Sequence, residues 1–238
     1  HLLQYAPKLH KKREIKNEQR LVSTEETSVS FYFSNMIPLL TLHYLPKIEW
    51  FAHWMKSETV MLEQFDNYQK SSLRNRTIIN AANGSMTLSI PLKGGRGVRL
   101  PYNQVEICYE NNWQHQHWLS ITSAYGSSPF FEHYADYLKP FYEKQYPTLF
   151  DFNHALLLVL LRLLKTKSAI AKTSSFEQQP IAINDLRASI HASSAIQPKE
   201  KYIQVFSEKH GFNPNVSVID LLFNEGPNAG NYLKALTE

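Results

Sequence analysis

The hydrophobic pattern of this chain turns from mainly strand-like to helical at Asn111-Asn112, and that change restricts the fold more than any other feature. Ahead of it, short β-prone runs are separated by turn residues; behind it, apolar residues recur at helical spacing. Residues 59–65 alternate as a strand. The runs 76–80 and 85–92 flank Ala82-Asn83-Gly84, and Asn-Gly between β-prone runs is a strong hairpin signal, with both residues expected at positive φ. Residues 103–110 read as a further strand, and 48–55 as a short helix with Pro46 near its first turn. Behind the change, 113–125 sets Trp118, Ile121 and Tyr125 on one helix face, stopped by Gly126. Ser128-Pro129 is expected to open a second helix, running to Pro140, and Asp151 to cap a third that reaches Lys167. Residues 168–198, rich in Ser and Ala, read as a surface connection; helices over 198–210 and 217–223 close the pattern. A sheet-forming front packed on a helical rear predicts an α+β or mixed α/β fold, in a single domain over 36–238.

Residues 1–35 lack that patterning and are expected to form a tail or an upstream extension, with Met36 as the natural start. They hold six Lys or Arg against four Glu, and the other residues hold 19 against 17, so the net charge of +4 is spread evenly. An even spread argues against a nucleic-acid partner, which calls for a basic stripe. No window of the sequence has the roughly 18 apolar residues of a membrane span. The single cysteine, Cys108, forbids an intrachain disulfide, so a reducing, cytoplasmic location is expected.

Lys70, Arg74 and Arg76 fall within seven residues, with Asn75 among them. On an extended backbone Arg74 and Arg76 share a face, which can grip a phosphate or carboxylate; a solvated basic edge that protects a strand is the plainer alternative. Lys93 to Arg99 adds three cations and three glycines but lacks the spacing of a phosphate-binding P-loop. His115-Gln116-His117 would bind a metal on a strand, but on a helix the two rings diverge, so no metal site is expected. His117 beside Trp118 is a candidate pocket residue or proton carrier, with a satisfied, half-buried histidine as the plainer reading; Asp66 and the neighbouring Glu63 are candidate acid/base groups or partners for a cation. Asp220, three residues after Ser217, has capping-box spacing. Tyr125 and the following Gly126-Ser127-Ser128-Pro129-Phe130-Phe131 are candidates to line a pocket or equally to form aromatic packing, and Cys108 reads as core. The residues name no cofactor.

The ordered set Tyr44-Leu45-Pro46, Tyr68 to Arg76, Asn83-Gly84, Leu88-Ser89-Ile90-Pro91, Trp113, His117-Trp118 and Ala124 to Phe131 resembles the WbqC-like family. So do 149–153 and the closing Asn215 to Gly226. The resemblance implies a bacterial protein whose genes often lie near those for cell-surface polysaccharide or O-antigen biosynthesis. The chain departs from the fuller pattern at two places. Leu42-His43 precedes Tyr44 where many members have Gln-Pro, and Thr77 follows Arg76 where a second Asn is usual. Segment 168–198 also looks shortened, so specificity is expected to differ. Together these readings point to group transfer on a small phosphorylated or carboxylated substrate, a sugar nucleotide or acyl carrier. Lys70, Arg74, Asn75, Arg76 and Tyr125 would bind it, and His117 or Asp66 would act as base. The alternative is a non-catalytic accessory protein of a surface-glycan pathway.

Overall fold

The computed structural model describes residues 37–181, 183–190 and 196–236. The expectations for residues 1–35 and for Met36 lie outside them. The account that follows is of the unit Pro38–Glu238.

β1 (Pro38–Thr41), β2 (Thr59–Glu63), β5 (Ala169–Lys172) and β6 (Asn184–Asp185) form a parallel sheet in the order β5-β2-β1-β6. Parallel neighbours need a crossover, and α1 (Ile48–Met55) supplies the one between β1 and β2. β1 is buried along its whole length, as a strand covered on both faces must be. α1 is nearly as buried, because Trp50, Phe51, Ala52 and Trp54 leave it little polar surface; Trp50 and Trp54 stack at 5.1 Å, one turn apart.

β3 (Arg76–Ala81) and β4 (Gly84–Ser89) make the expected antiparallel hairpin, apart from the parallel sheet, with Ala81 opposite Gly84. Gly84 has φ +103°, but Asn83 is not among the positive-φ residues, so the left-handed position follows the two-residue turn instead of lying within it. A Cβ at Gly84 would meet nothing within 4 Å, which isolates the backbone effect. Gly84→Val is therefore expected to destabilise the protein by about 1–3 kcal/mol. Urea unfolding checks this, and a variant as stable as the parent would contradict it.

The rear half is helical: α2 (Trp113–Tyr125), α3 (Phe131–Leu138), α4 (Leu149–Leu163), α5 (Ser207–His210), α6 (Val218–Glu225) and α7 (Ala229–Ala235). The fold is thus a mixture of sheet and helix of the expected α+β kind. Several local expectations fail for identifiable reasons. α3 starts at Phe131, not after Ser128, because the Phe130 N–H is drawn to the Phe223 carbonyl at 3.0 Å. Thr148, not Asp151, caps α4: its hydroxyl accepts from the Asp151 N–H at 3.1 Å. Residues 103–110 form no strand; Tyr102–Gln104 is a 3-10 turn, and the rest pairs only through isolated bridges, Ile107 with Leu92 and Glu106 with Thr148. Of 198–210 only α5 is helical. Upstream of it, Tyr202 and Gln204 are buried while Lys201 and Ile203 are exposed, the alternation of extended chain.

The largest correction concerns 168–198. This segment is no surface connection, since it supplies β5 and β6, both edges of the parallel sheet. Strands of four and two residues are too short for period-two alternation to register. Among the described residues no helix is long and apolar enough to cross a membrane, and no cluster of His, Cys, Asp or Glu could hold a metal ion.

Candidate functional site

From β1 the chain moves to β2 and then β5 on one side of the sheet, and returns as β6 on the other side. Beyond the carboxyl ends of strands flanking such a reversal, the connections diverge and leave a crevice, the usual ligand position in open parallel sheets. A cleft of about 530 Å³ lies there. Thr41 and His43 at and after the end of β1, Asp185 at the end of β6 with Arg187 just beyond it, and the loop 66–74 after β2 contribute to its walls.

The β1 exit is held rigidly. Thr41 O accepts from Trp50 Nε1 at 2.9 Å, Leu42 O from the Tyr102 hydroxyl at 2.9 Å, and Leu45 O from both Thr77 and Ser217 hydroxyls. His43 is thereby buried. Loss of hydration pushes its imidazole down to about 3, with the charges of Arg74 and Lys47 adding to the effect, so the ring is neutral at neutral pH.

Across the cleft, Arg74 is 3% exposed. Nη1 donates to Asn67 O at 2.6 Å, Nη2 is paired with the Asp66 carboxylate, and the guanidinium lies 5.2 Å from the Tyr102 ring centre. On the β6 side, Arg187 grips both oxygens of Asp185, at 2.9 and 2.7 Å, and reaches buried Glu63 at 3.2 Å. Burial works against the charge on Asp185, but the hydrogen bonds from Arg187 outweigh it and hold that carboxyl below its ordinary range. Both guanidinium groups are therefore already charge-matched. Lys70 is exposed on the rim. Three buried polar atoms on cleft residues have no hydrogen-bonding partner in the protein: Thr41 Oγ1, His43 Nδ1 and Arg74 Nε. Buried polar groups are rarely left unpaired, so several such atoms on the residues of one cleft set it apart.

Of the residues singled out from sequence, Asp66, Lys70 and Arg74 meet in this cleft. Four others do not line it. Arg76 is half-buried at the start of β3, so the two arginines do not form a shared gripping face. Asn75 is a brace, accepting from the Tyr68 hydroxyl and donating to Ile90 O, each at 2.8 Å. His117 sits in the aromatic core with Nδ1 3.0 Å from the Tyr44 hydroxyl, which is itself 2.9 Å from that of Tyr142. Burial pushes His117 down to about 4, although a hydrogen bond with the Ser89 backbone opposes this. Tyr125 donates to Asp220 at 3.0 Å.

Asp220 also corrects an expectation. Ser217 does cap α6, but the Asp220 carboxylate turns inward and accepts from four donors: Tyr202 at 2.6 Å, Gln204 and Tyr125 at 3.0 Å, and Asn80 at 3.3 Å. Burial pushes this carboxyl up to about 6 even against those bonds. Sequence reasoning missed His43, Ser72, Asp185 and Arg187 as cleft residues. The signal for His43 was its departure from the family pattern; Asp185 and Arg187 lay in a segment read as connection.

A Mycobacterium tuberculosis protein named "Uncharacterized protein Rv1507c" is 25% identical over 196 aligned residues, covering 70% of this chain and 84% of its own. No solved structure matches the chain. A family model described as "WbqC-like protein family" matches residues 42–200. That span runs from the exit of β1 through both hairpin strands to the segment that closes the sheet, and takes in every cleft residue named above except Thr41. The chain belongs to the WbqC-like protein family.

Proposed function

We propose that this protein is a group-transfer enzyme of cell-surface polysaccharide assembly, and that the cleft at the carboxyl ends of β1 and β6 holds its sugar-nucleotide or acyl-carrier substrate. The unpaired polar atoms of Thr41, His43 and Arg74 carry this reading. Lys70 on the rim offers a cation to a phosphate, and Arg74 Nε–H offers a donor at depth. Asp66 supplies the proton acceptor for a nucleophilic hydroxyl or amine. His43 Nδ1, unpaired in the protein on a neutral ring that burial makes a weak base, orients that nucleophile as a hydrogen-bond acceptor. His117, the other candidate base, lies outside the cleft with Nδ1 occupied by Tyr44. As one of the residues that depart from the fuller family pattern, His43 also gives the cleft its own specificity.

The test is thermal unfolding with a panel of nucleotide sugars and coenzyme A thioesters at low salt. A ligand at about 100 times its Kd adds roughly 2.7 kcal/mol, or about 5–10 °C in a chain of this size. Lys70→Ala is expected to lose most of that shift and its salt dependence while leaving the unliganded melting temperature unchanged, since Lys70 is exposed. If no member of the panel shifts the protein, or Lys70→Ala keeps the whole shift, the cleft is not the substrate site. The accessory-protein reading then leads.

A further inference from the structure

The other end of the parallel sheet carries a second concavity. Thr59 and Ala169, where β2 and β5 begin, border a pit of about 690 Å³ lined by Lys56, Lys165, Lys167 and Lys234. Glu58 is the one acidic side chain among its described lining residues. Three of these lysines have an ordinary reason to be there. Lys56 and Lys165 follow α1 and α4, and Lys234 lies in the last turn of α7, where a cation offsets the negative end of the helix. Each helix end supplies only roughly half a negative charge. Lys167 lies beyond α4, two residues before β5, and has no helix end to complement. Even without counting Lys234, the charges of Lys56, Lys165 and Lys167 exceed those of Glu58 and the two helix ends, so the pit keeps an excess of positive charge.

Two observations at the end of α4 single it out as a binding site. Lys165 has φ +54°, in the position after a helix where glycine is usual. The helix closes around it, with Lys165 N–H donating to Arg162 O at 3.1 Å and Thr166 N–H to Leu161 O at 3.0 Å. A lysine is thus kept at a position where the backbone favours glycine, and such retained strain clusters at functional sites. Next to it, Thr166 Oγ1 is buried without a partner on a residue that lines the pit. α7 is drawn against this corner. A Cβ on Gly230 would stand 2.5 Å from Leu164 O, so only glycine allows the approach that brings Lys234 to the rim.

We infer that this pit is an anion site for a diphosphate group, separate from the cleft and independent of the group-transfer reading. Ammonium groups spread round a concavity favour a ligand with charge distributed over two phosphates over a single carboxylate. Lys165 and Lys167 flank the Thr166 hydroxyl, which donates to a phosphate oxygen. A concave pit suits a discrete group better than a flat bilayer surface. Soluble pyrophosphate and the diphosphate head of a lipid carrier share this chemistry.

Calorimetric titration of the full chain with inorganic pyrophosphate tests the site, at low salt and again at about 0.3 M, where screening weakens exposed charges. Binding is expected in the wild type and in Lys70→Ala, which lacks the rim cation of the cleft. Lys167→Ala should lower the affinity about tenfold, as loss of one charged hydrogen bond does. Lys165→Gly gives the sharper result, because its two effects have opposite signs. It should weaken pyrophosphate about tenfold and, by releasing the positive φ, raise the unliganded melting temperature by about 2–4 °C. Flotation with phosphatidylcholine vesicles carrying a polyprenyl diphosphate identifies the source. Pyrophosphate binding with vesicle capture assigns a lipid head, and pyrophosphate binding without capture assigns a soluble ligand. No pyrophosphate binding, or binding lost in Lys70→Ala and kept in Lys165→Gly, overturns the site.

Discussion

Asp220→Ala is expected to destabilise the protein by about 3–5 kcal/mol, because it strands four buried donors at once. Tyr125, Tyr202, Gln204 and Asn80 all direct hydrogen bonds to this carboxylate, and they come from α2, the extended segment before α5, and β3. Its loss would loosen the attachment of the hairpin, α2 and the 202–204 strip to α6 together. Asp220→Asn keeps the shape and two acceptor lone pairs, so it should cost distinctly less. The pH dependence separates charge from shape. Burial raises this carboxyl to about 6, above its value of roughly 3.9 in the unfolded chain. Its contribution is therefore fully present below about pH 4 and is lost as pH rises through 6. The Asn variant should lack that slope. Thermal melts of the three proteins at pH 5 and pH 7 measure both effects. An alanine variant that melts within a degree or two of the parent would show that the network carries no stability.

The second large effect is loss of stability in acid. His43 and His117 are held neutral by burial, at about 3 and about 4, whereas in the unfolded chain each titrates near 6.5. Below pH 6.5 the unfolded state takes up protons that the folded state refuses. The stability these rings provide is complete above 6.5 and is lost as pH falls towards 4 for His117 and 3 for His43. One pH unit is worth 1.36 kcal/mol, so His117 alone accounts for roughly 3 kcal/mol across that window. The slope from Asp220 runs the other way between about 4 and 6, and two histidines are expected to outweigh it. Melting temperatures from pH 7 to pH 4 should fall steeply in the wild type and less in His117→Gln or His43→Asn. A flat wild-type profile would mean that the two rings protonate without cost in the folded protein.

Helix α2, the hairpin and the apolar α4 were all legible in the chain, because each rests on local physics. Period 3.6 places Ile121 and Tyr125 inward, Asn-Gly turns a hairpin, and the leucines of α4 can be satisfied only by burial. The family was legible as well, in an ordered set of short motifs. The basic run after β2 pointed to the correct wall of the cleft, since Asp66, Lys70 and Arg74 meet there. Asp66 was legible as a partner for a cation, but not that the cation is Arg74, because the pair forms through a fold-back of the loop.

What required the folded molecule was everything made by pairing distant segments. β5 and β6 become strands because β2 and β1 offer them edges, and neither has enough residues to show alternation on its own. The reversal of strand order that opens the cleft follows from that pairing, as do the arrival of Arg187 beside Glu63 and the isolation of His43 from water. Asp220 shows the same division within one residue. Its spacing from Ser217 satisfies a helix cap, but four donors from elsewhere in the chain turn it into the core. Local sequence sets what a residue is able to do, and desolvation by distant neighbours selects which of those things it does.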